Sequence, residues 1–360
     1  MKTREKRVAQ LTERTDEARA DAFLVTHLPN IYYLSGFKGS SAALLVGPSG
    51  SSFFTDGRYA EQSRAEVEGA RIKIGRRGLM LDVSGQLTRL GRRLRVAFED
   101  DRITVAQLNQ LKRLSGSGIR WVPVRGAVEG LRAIKDADEI AAMRQAAALG
   151  SAVVDEVIKL VHTGVSELDL AAEVDYRIRR GGASGPAFDT IVASGPRSAL
   201  PHAQPSDKVF RKNELVVLDL GAILRHYCCD ITRTVYLGRA PRKVHRWYRA
   251  VLDAQSAACE AIRAGVTGEQ VDRAARRVLE RAGLGKRFIH STGHGLGLEI
   301  HEAPRLAKGQ KAALVAGNVV TVEPGVYLPG LGGIRIEDDV LVQPGGCEVL
   351  TTAPRELLEI

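Results

Sequence analysis

The sequence predicts two domains in succession, an α/β layer domain over residues 1–127 and an α+β domain over 128–360. Three observations carry this. The chain has 360 residues, beyond the roughly 100–200 that one domain usually takes. In the first part, short apolar runs alternate with amphipathic helical stretches, the pattern of a sheet layered with helices. Further on, helices and paired strands come in long separate blocks, which is the α+β pattern.

In the first part AFLVT (22–26), SAALLVG (41–47) and SSFFTD (51–56) read as strands, the last two joined across the turn PSG. A helix is expected over 58–70, a strand at RIKIG, another strand over 93–100, and a helix over 104–114 that Thr104 can cap. IRWVPV (119–124) makes one more strand. In the second part residues 131–161 form a long helical stretch with Asp136 or Asp138 available as its cap. SELDLAAEVDYRIRRGG starts a second helical unit at Ser166 and Glu167 and ends it on a glycine pair. Two more helices follow near 242–264 and 268–282, then a run of strands with Gly-rich turns.

The composition, 44% hydrophobic and 26% charged, is that of a soluble globular protein. No apolar run approaches the roughly 18 residues a membrane span needs. The N-terminal segment alternates charge with single apolar residues and shows no hydrophobic core of a signal peptide, so a cytoplasmic protein is expected. The net charge of +10 raises nucleic acid as a partner. The basic residues are interspersed with acidic ones, however, and no recognition motif supports them, so they are assigned to solvated helix faces. Four scattered cysteines, Cys228, Cys229, Cys259 and Cys347, make neither a disulfide framework nor a zinc site. The adjacent Cys228 and Cys229 are expected to be reduced and packed rather than joined as a vicinal disulfide.

Chemistry concentrates in three segments of the second domain. ELVVLDLGAILRHYCCDITRTVYLG has the signature of a hairpin, with Asp219 and Asp230 symmetric about Leu224 and Arg225. A two-residue turn there makes the two carboxylates opposed on one face, about 5 Å apart at Cβ. The bland alternative has one aspartate capping a turn and the other paired with Arg225 or Arg233. The pattern recurs in VVTVEPGVYLPGLGGIRIEDDVLV, where Glu323 and Glu337 are symmetric about Gly330. Two opposed acid pairs inside apolar strands repel and are poorly hydrated, and divalent cations remove both problems. The third segment, FIHSTGHGLGLEIHEAP, frames His294 with Gly293, Gly295 and Gly297, glycines that permit unusual φ and close backbone approach. His290 and His301 flank it. The spacing is not HExxH, which argues against a single-zinc protease. Four carboxylates and one imidazole suit manganese or cobalt, with zinc also compatible. Two such ions roughly 3.5–4 Å apart acidify water and polarise a carbonyl, so the implied reaction is metal-assisted hydrolysis.

VVLDLGA, DITRT, HSTGHGLGLEIHE, TVEPGVY and GIRIED together resemble the signature segments of the pita-bread metallopeptidases, the superfamily of methionine aminopeptidase, aminopeptidase P, prolidase and creatinase. NIYYLSGFKGSSAALLV and FTDGRYAEQ resemble the creatinase-like N-terminal domain of the proline-specific branch. The resemblance implies a pita-bread catalytic domain holding two divalent ions. Asp219 would ligate one, Asp230 and Glu337 would bridge both, and His294 and Glu323 would complete the second site. It makes Glu323 the proton relay, His202 the residue stabilising the tetrahedral intermediate and His301 a contact of the substrate carbonyl. His290 matches a further substrate-site position, and Arg335 would steady the ligand carboxylates. The implied activity is a metallo-exopeptidase acting on proline-containing di- or oligopeptides, and the implied assembly is a homodimer. Arg305 is a candidate for a dipeptide's carboxylate. Two other readings stand beside this one: a creatinase-branch C–N hydrolase of small non-peptide substrates, and a non-catalytic peptidase-like binding module. The resemblance departs at the hairpin turn, where His226 replaces a glycine, and at Cys229, where a serine is common.

Overall fold

This computed structural model describes residues 3–360 apart from Arg92. The chain divides into two compact units, Met1–Arg132 and Ala133–Ile360.

In the first unit six strands form one sheet in the order Ala70–Gly75, Gly50–Asp56, Ala43–Gly47, Ala22–Val25, Leu94–Glu99 and Ile119–Val124. Every residue of Ala22–Val25 is buried, as a strand covered on both faces requires. It pairs antiparallel with Ala43–Gly47 and parallel with Leu94–Glu99. Thr104 caps the helix Val105–Ser115 through a capping box with Gln107, as expected. The helix expected over 58–70 is shorter. A 3₁₀ turn, Gly57–Tyr59, leads into Ala60–Glu66, and the extended Val67 ends it. The helices Leu28–Ser35, Leu79–Leu90 and Thr3–Glu17 are not among the expected elements. The first carries legible signals, a proline in its first turn and Gly36 at φ 85° after its end. The division lies at Arg132 because the short helix Glu129–Arg132 belongs with the first unit: buried Arg132 donates from Nη1 to Asn30 Oδ1 at 2.6 Å.

The second unit has two principal sheets, each backed by a helix pair, and a small three-stranded one of Gly185–Pro186, Ala222–Leu224 and Tyr227–Cys228. Residues of the helices Ala137–Val157 and Glu167–Arg180 share one core with Val192, Val216, Leu218, Ile231 and Val235 of a three-stranded sheet. Arg242–Ala261 and Gly268–Arg281 share the other with Val320, Val322, Ile336 and Val340. The five-stranded sheet runs Glu302–Leu306, Gly293–Gly295, Val319–Val322, Asp338–Val342 and Cys347–Val349. A separate hairpin, Gly325–Leu328 with Gly332–Arg335, extends from it. Gly150 lets the first long helix approach closely, since a Cβ there would stand 2.8 Å from Cys229 Sγ. Cys228 and Cys229 are buried and not joined as a disulfide, as expected.

That helix starts at Ala137, later than the expected 131, because Asp136 caps it: its side chain accepts from Glu139 N, and Glu139 returns a bond to the Asp136 backbone. Asp136→Ala is expected to cost about 1 kcal/mol, a fall in Tm of about 2–4 °C for a unit of this size. A thermal melt with no shift would remove the cap from the account.

Candidate metal centre

The hairpin that carries the aspartates differs from the expected one by a small slip. Its turn is Arg225–His226, with φ 50° and 73°, the left-handed pair of a type I′ turn. The register therefore sets Asp219 opposite Thr232, and Asp230 is its diagonal neighbour rather than its direct partner. The slip is even in residues, so both carboxylates keep the same face. Neither aspartate pairs with Arg225 or Arg233; Arg233 pairs with Asp338 instead. The second hairpin has the register the symmetry predicts. Val322↔Asp338 on one side and Gly325↔Arg335 on the other place Glu323 opposite Glu337. Gly293, Gly295 and Gly297 serve close packing rather than unusual φ, for none is among the positive-φ residues. A Cβ on Gly293 would lie 1.9 Å from Thr321 O, and one on Gly295 2.3 Å from Ala303 O.

These strands bring together a side chain set drawn from both sheets. Ligand atoms of Asp230, His294 and Glu337, all buried, lie within 4.8 Å of one another. His294 Nε2 stands 3.6 Å from Asp230 Oδ2 and 3.6 Å from Glu323 Oε1. Its Nδ1 lies 3.0 Å from the carbonyl of Gly295, so the proton sits on Nδ1 and the Nε2 lone pair faces the carboxylates. Asp219 joins through Arg335, whose Nη2 donates to Asp219 Oδ2 at 2.5 Å. The other oxygens, Asp219 Oδ1 and Asp230 Oδ1, are buried with no hydrogen-bond partner. Lone pairs converging on one buried space, with two orphaned carboxylate oxygens beside them, are what a divalent cation satisfies. The residues present fit such ions.

The electrostatics agree. Burial, then the charges of Glu337 and Asp219, push Asp230 well above the ordinary carboxylate range. Burial, then Glu323 and Asp219, do the same to Glu337. Burial raises Glu323 to about 7 against the pull of Arg335. Burial lowers His294 and His290 to about 4.

Other predicted residues surround this set. His290 is partly buried, with Nδ1 2.8 Å from Ser291 O and Nε2 2.9 Å from the Tyr327 hydroxyl. His301 is exposed and lies edge-on to His294, ring centres 4.4 Å apart. His202 is exposed, and its charge acts on both His290 and His301. Arg305 is exposed, pairs in register with His294, and its charge reaches His294, His301 and Glu323. Arg335 is buried and also donates to Thr232 Oγ1 at 3.0 Å and to the Tyr327 hydroxyl at 2.8 Å.

Sequence reasoning missed a seam that joins the two sheets. Asp230 N donates to Asp339 Oδ2 at 3.0 Å, Glu337 N to Thr232 O at 3.2 Å, and Thr232 Oγ1 to Glu337 Oε2 at 2.5 Å. Thr234 Oγ1 donates to Arg335 O, and Arg335 N donates back to that hydroxyl. The pairs 230/339, 232/337 and 234/335 march antiparallel like a ladder, with a side-chain atom in four of the five bonds. Thr232, Thr234 and Asp339 are buried in strands that are buried throughout, beside the equally polar Arg233 and Asp338, so no local alternation marks them in the sequence.

Stripped of metal, the site carries a pH signature. Carboxylates raised by folding bind protons in the native chain after the unfolded chain has released them, from the ordinary Glu value of 4.5 up to about 7 for Glu323. Stability therefore falls as pH rises across that interval. The lowered histidines act in the opposite sense, but only between about 4 and their ordinary 6.5. Chelated protein is thus expected to melt at falling temperature as pH rises from 6.5 through 7 and beyond, while metal-replete protein does not. Parallel melts of the two forms check this; a gap that stays constant with pH contradicts it.

Residues 141–344 match the Metallopeptidase family M24, and residues 7–134 match the Creatinase/Prolidase N-terminal domain. The chain is 36% identical to the Xaa-Pro dipeptidase of Pyrococcus furiosus, over 98% of this chain and 99% of that protein. Among solved structures it is similar to the Xaa-Pro dipeptidase from Bacillus anthracis, with TM-score 0.96 and 39% identity over 99% of this chain and 100% of that one. It is also similar to the X-Pro aminopeptidase from Thermotoga maritima, with TM-score 0.90 and 36% identity over 96% of this chain and 100% of that one. Two hairpins that each carry two acids on one face, a buried imidazole aimed at them and a creatinase-type domain ahead of them thus have one source: the chain belongs to metallopeptidase family M24.

Proposed function

We propose that this protein is a metal-dependent exopeptidase that hydrolyses the Xaa-Pro bond of dipeptides or of short peptides at their N-terminus. The observation that carries it is the His294 Nε2 lone pair facing the buried Asp230 and the half-buried Glu323 carboxylates at 3.6 Å, in a chain whose relatives are named Xaa-Pro dipeptidase and X-Pro aminopeptidase. Divalent ions, when bound, acidify a water and polarise the scissile carbonyl. Asp219, Asp230, His294, Glu323 and Glu337 would hold two of them, with manganese or cobalt favoured by the oxygen-rich donor set and zinc compatible. Glu323, by the resemblance, would take a proton from the attacking water and return it to the leaving nitrogen. His202 and His301, at the exposed side of the site, would bind the tetrahedral intermediate and the substrate carbonyl. A complete donor set disfavours the binding-module reading, and relatives named Xaa-Pro dipeptidase disfavour the creatinase-branch C–N hydrolase.

Whether the substrate ends at proline turns on Arg305, an exposed cation opposite His294 that suits a terminal carboxylate. Purified protein loaded with manganese, cobalt or zinc is expected to release the first residue of Xaa-Pro dipeptides, Xaa-Pro-Xaa tripeptides or both, as followed by mass spectrometry. Arg305→Ala should raise KM for dipeptides well beyond its effect on tripeptides. No turnover of any Xaa-Pro peptide with all three metals defeats the proposal. The resemblance also carries a homodimer, to be checked by light scattering. Among the described residues no helix is long and apolar enough to cross a membrane.

A further inference from the structure

The metal ligands come from two sheets, so their relative placement depends on what fixes one sheet to the other. We propose that Arg233 is the positioning residue that sets where the Glu337 carboxylate stands in the metal centre; the proposal rests on the metal-centre reading above. The Arg233 side chain is buried, 2% exposed, and all five of its N–H donors are spent. Nη1 donates to Thr232 O at 2.9 Å and to Glu337 O at 2.6 Å. Nη2 donates to Asp338 Oδ1 at 2.7 Å and to Ala353 O at 2.6 Å, and Nε to Pro354 O at 2.7 Å. None of these bonds goes to a ligand carboxylate, so the residue acts through the backbone.

One nitrogen thus holds the carbonyls of Thr232 and Glu337 together. These are the two residues whose side chains also bond, Thr232 Oγ1 to Glu337 Oε2, and Glu337 N donates to Thr232 O as well. Glu337 is gripped at its amide, its carbonyl and its carboxylate by the dipeptide Thr232–Arg233. The guanidinium is itself held at its outer edge by Asp338, which accepts further bonds from Thr351 Oγ1 at 2.6 Å and Gln255 Nε2 at 2.7 Å. With every donor committed and the counter-ion pinned from two more elements, Arg233 has one available position. A lysine keeps the charge but has three donors and no planar fork, so it cannot hold both carbonyls, the carboxylate and the chain at 353–354 together.

The test is cobalt(II) titration of metal-free wild type and Arg233→Lys, followed by visible absorption, with kcat, KM and Tm measured on the same samples. Arg233→Lys is expected to bind cobalt about 10–100-fold more weakly, the scale on which residues supporting metal ligands act. Its cobalt absorption band should change shape, and kcat should fall by a similar factor while KM stays within about threefold. A folded Arg233→Lys with wild-type cobalt affinity and spectrum overturns the proposal, as does a lower Tm with every other readout unchanged. Should Arg233→Lys fail to fold, Asp338→Asn decides the matter, because it loosens the guanidinium while leaving its carbonyl bonds in place. Weaker cobalt binding with the same spectral change supports the proposal, and unaltered binding overturns it. Wild type that binds no cobalt overturns the metal-centre reading along with this one, whereas equal binding by wild type and variant defeats this one alone.

Discussion

Glu337→Gln leaves a folded protein whose hydrolysis of Xaa-Pro peptides falls by more than about 100-fold, the upper end of what even supporting residues cause when they are lost. Gln preserves the side chain's shape and the backbone grip of Thr232, but one acceptor oxygen becomes an NH₂ that no cation tolerates as a ligand. Asp230→Asn acts in the same way, since Asp230 and Glu337 are the two acids gathered with His294 within 4.8 Å. The stability of these variants runs opposite to their activity. In metal-free protein each removes one of several buried acids that raise one another's pKa, so above neutral pH the chelated variants should melt no lower than chelated wild type. Circular dichroism melts beside activity assays check both halves. Full activity in either variant would mean that these carboxylates are not the ligands.

Arg335→Met is the second large effect, and its size depends on metal. The Arg335 guanidinium is the buried cation of the site, bonded to Asp219, Thr232 and Tyr327. Breaking a buried ion pair from one side costs about 3–5 kcal/mol, because the remaining charge is left without compensation. In chelated protein nothing replaces the lost charge. In metal-loaded protein the bound cations do, in part, so the melting temperature should drop further in the chelated form. Activity should also fall, as Asp219 is no longer turned toward the site. An equal drop in both forms would show that Arg335 packs the fold without serving the charge balance of the centre.

Much of this was legible in the chain because the two hairpins are local. The spacing of Glu323 and Glu337 about Gly330 predicts the register that the structure has. The Asp219–Asp230 hairpin was misplaced by one turn residue, since Arg225 and His226, not an Asn-Gly pair, adopt the left-handed conformations. Register errors of even size preserve the face, which is why the candidate site survived the slip. Helices with strong caps, at Thr104, Asp136 and Ser166, were found. The weakly amphipathic Leu28–Ser35 and the Leu79–Leu90 helix, which starts from Gly78 without a side-chain cap, were not. The glycines around His294 signalled close backbone contact but not with what, because Thr321 and Ala303 are known as neighbours only once the sheet is formed. The seam from Asp230 to Thr234 against Arg335 to Asp339 is illegible for the same reason: its rungs join residues about a hundred positions apart, and four of its five bonds use a side-chain atom, with no periodic signature.

The central claim is that Asp219, Asp230, His294, Glu323 and Glu337 form one centre for divalent ions. Calorimetric titration of metal-free protein with cobalt(II) tests it most directly. Saturable binding of two ions per chain is expected, with protons released as the raised carboxylates ionise, and loss of that binding in Asp230→Asn. Absence of saturable binding in the wild type, or wild-type binding in Asp230→Asn, would contradict it.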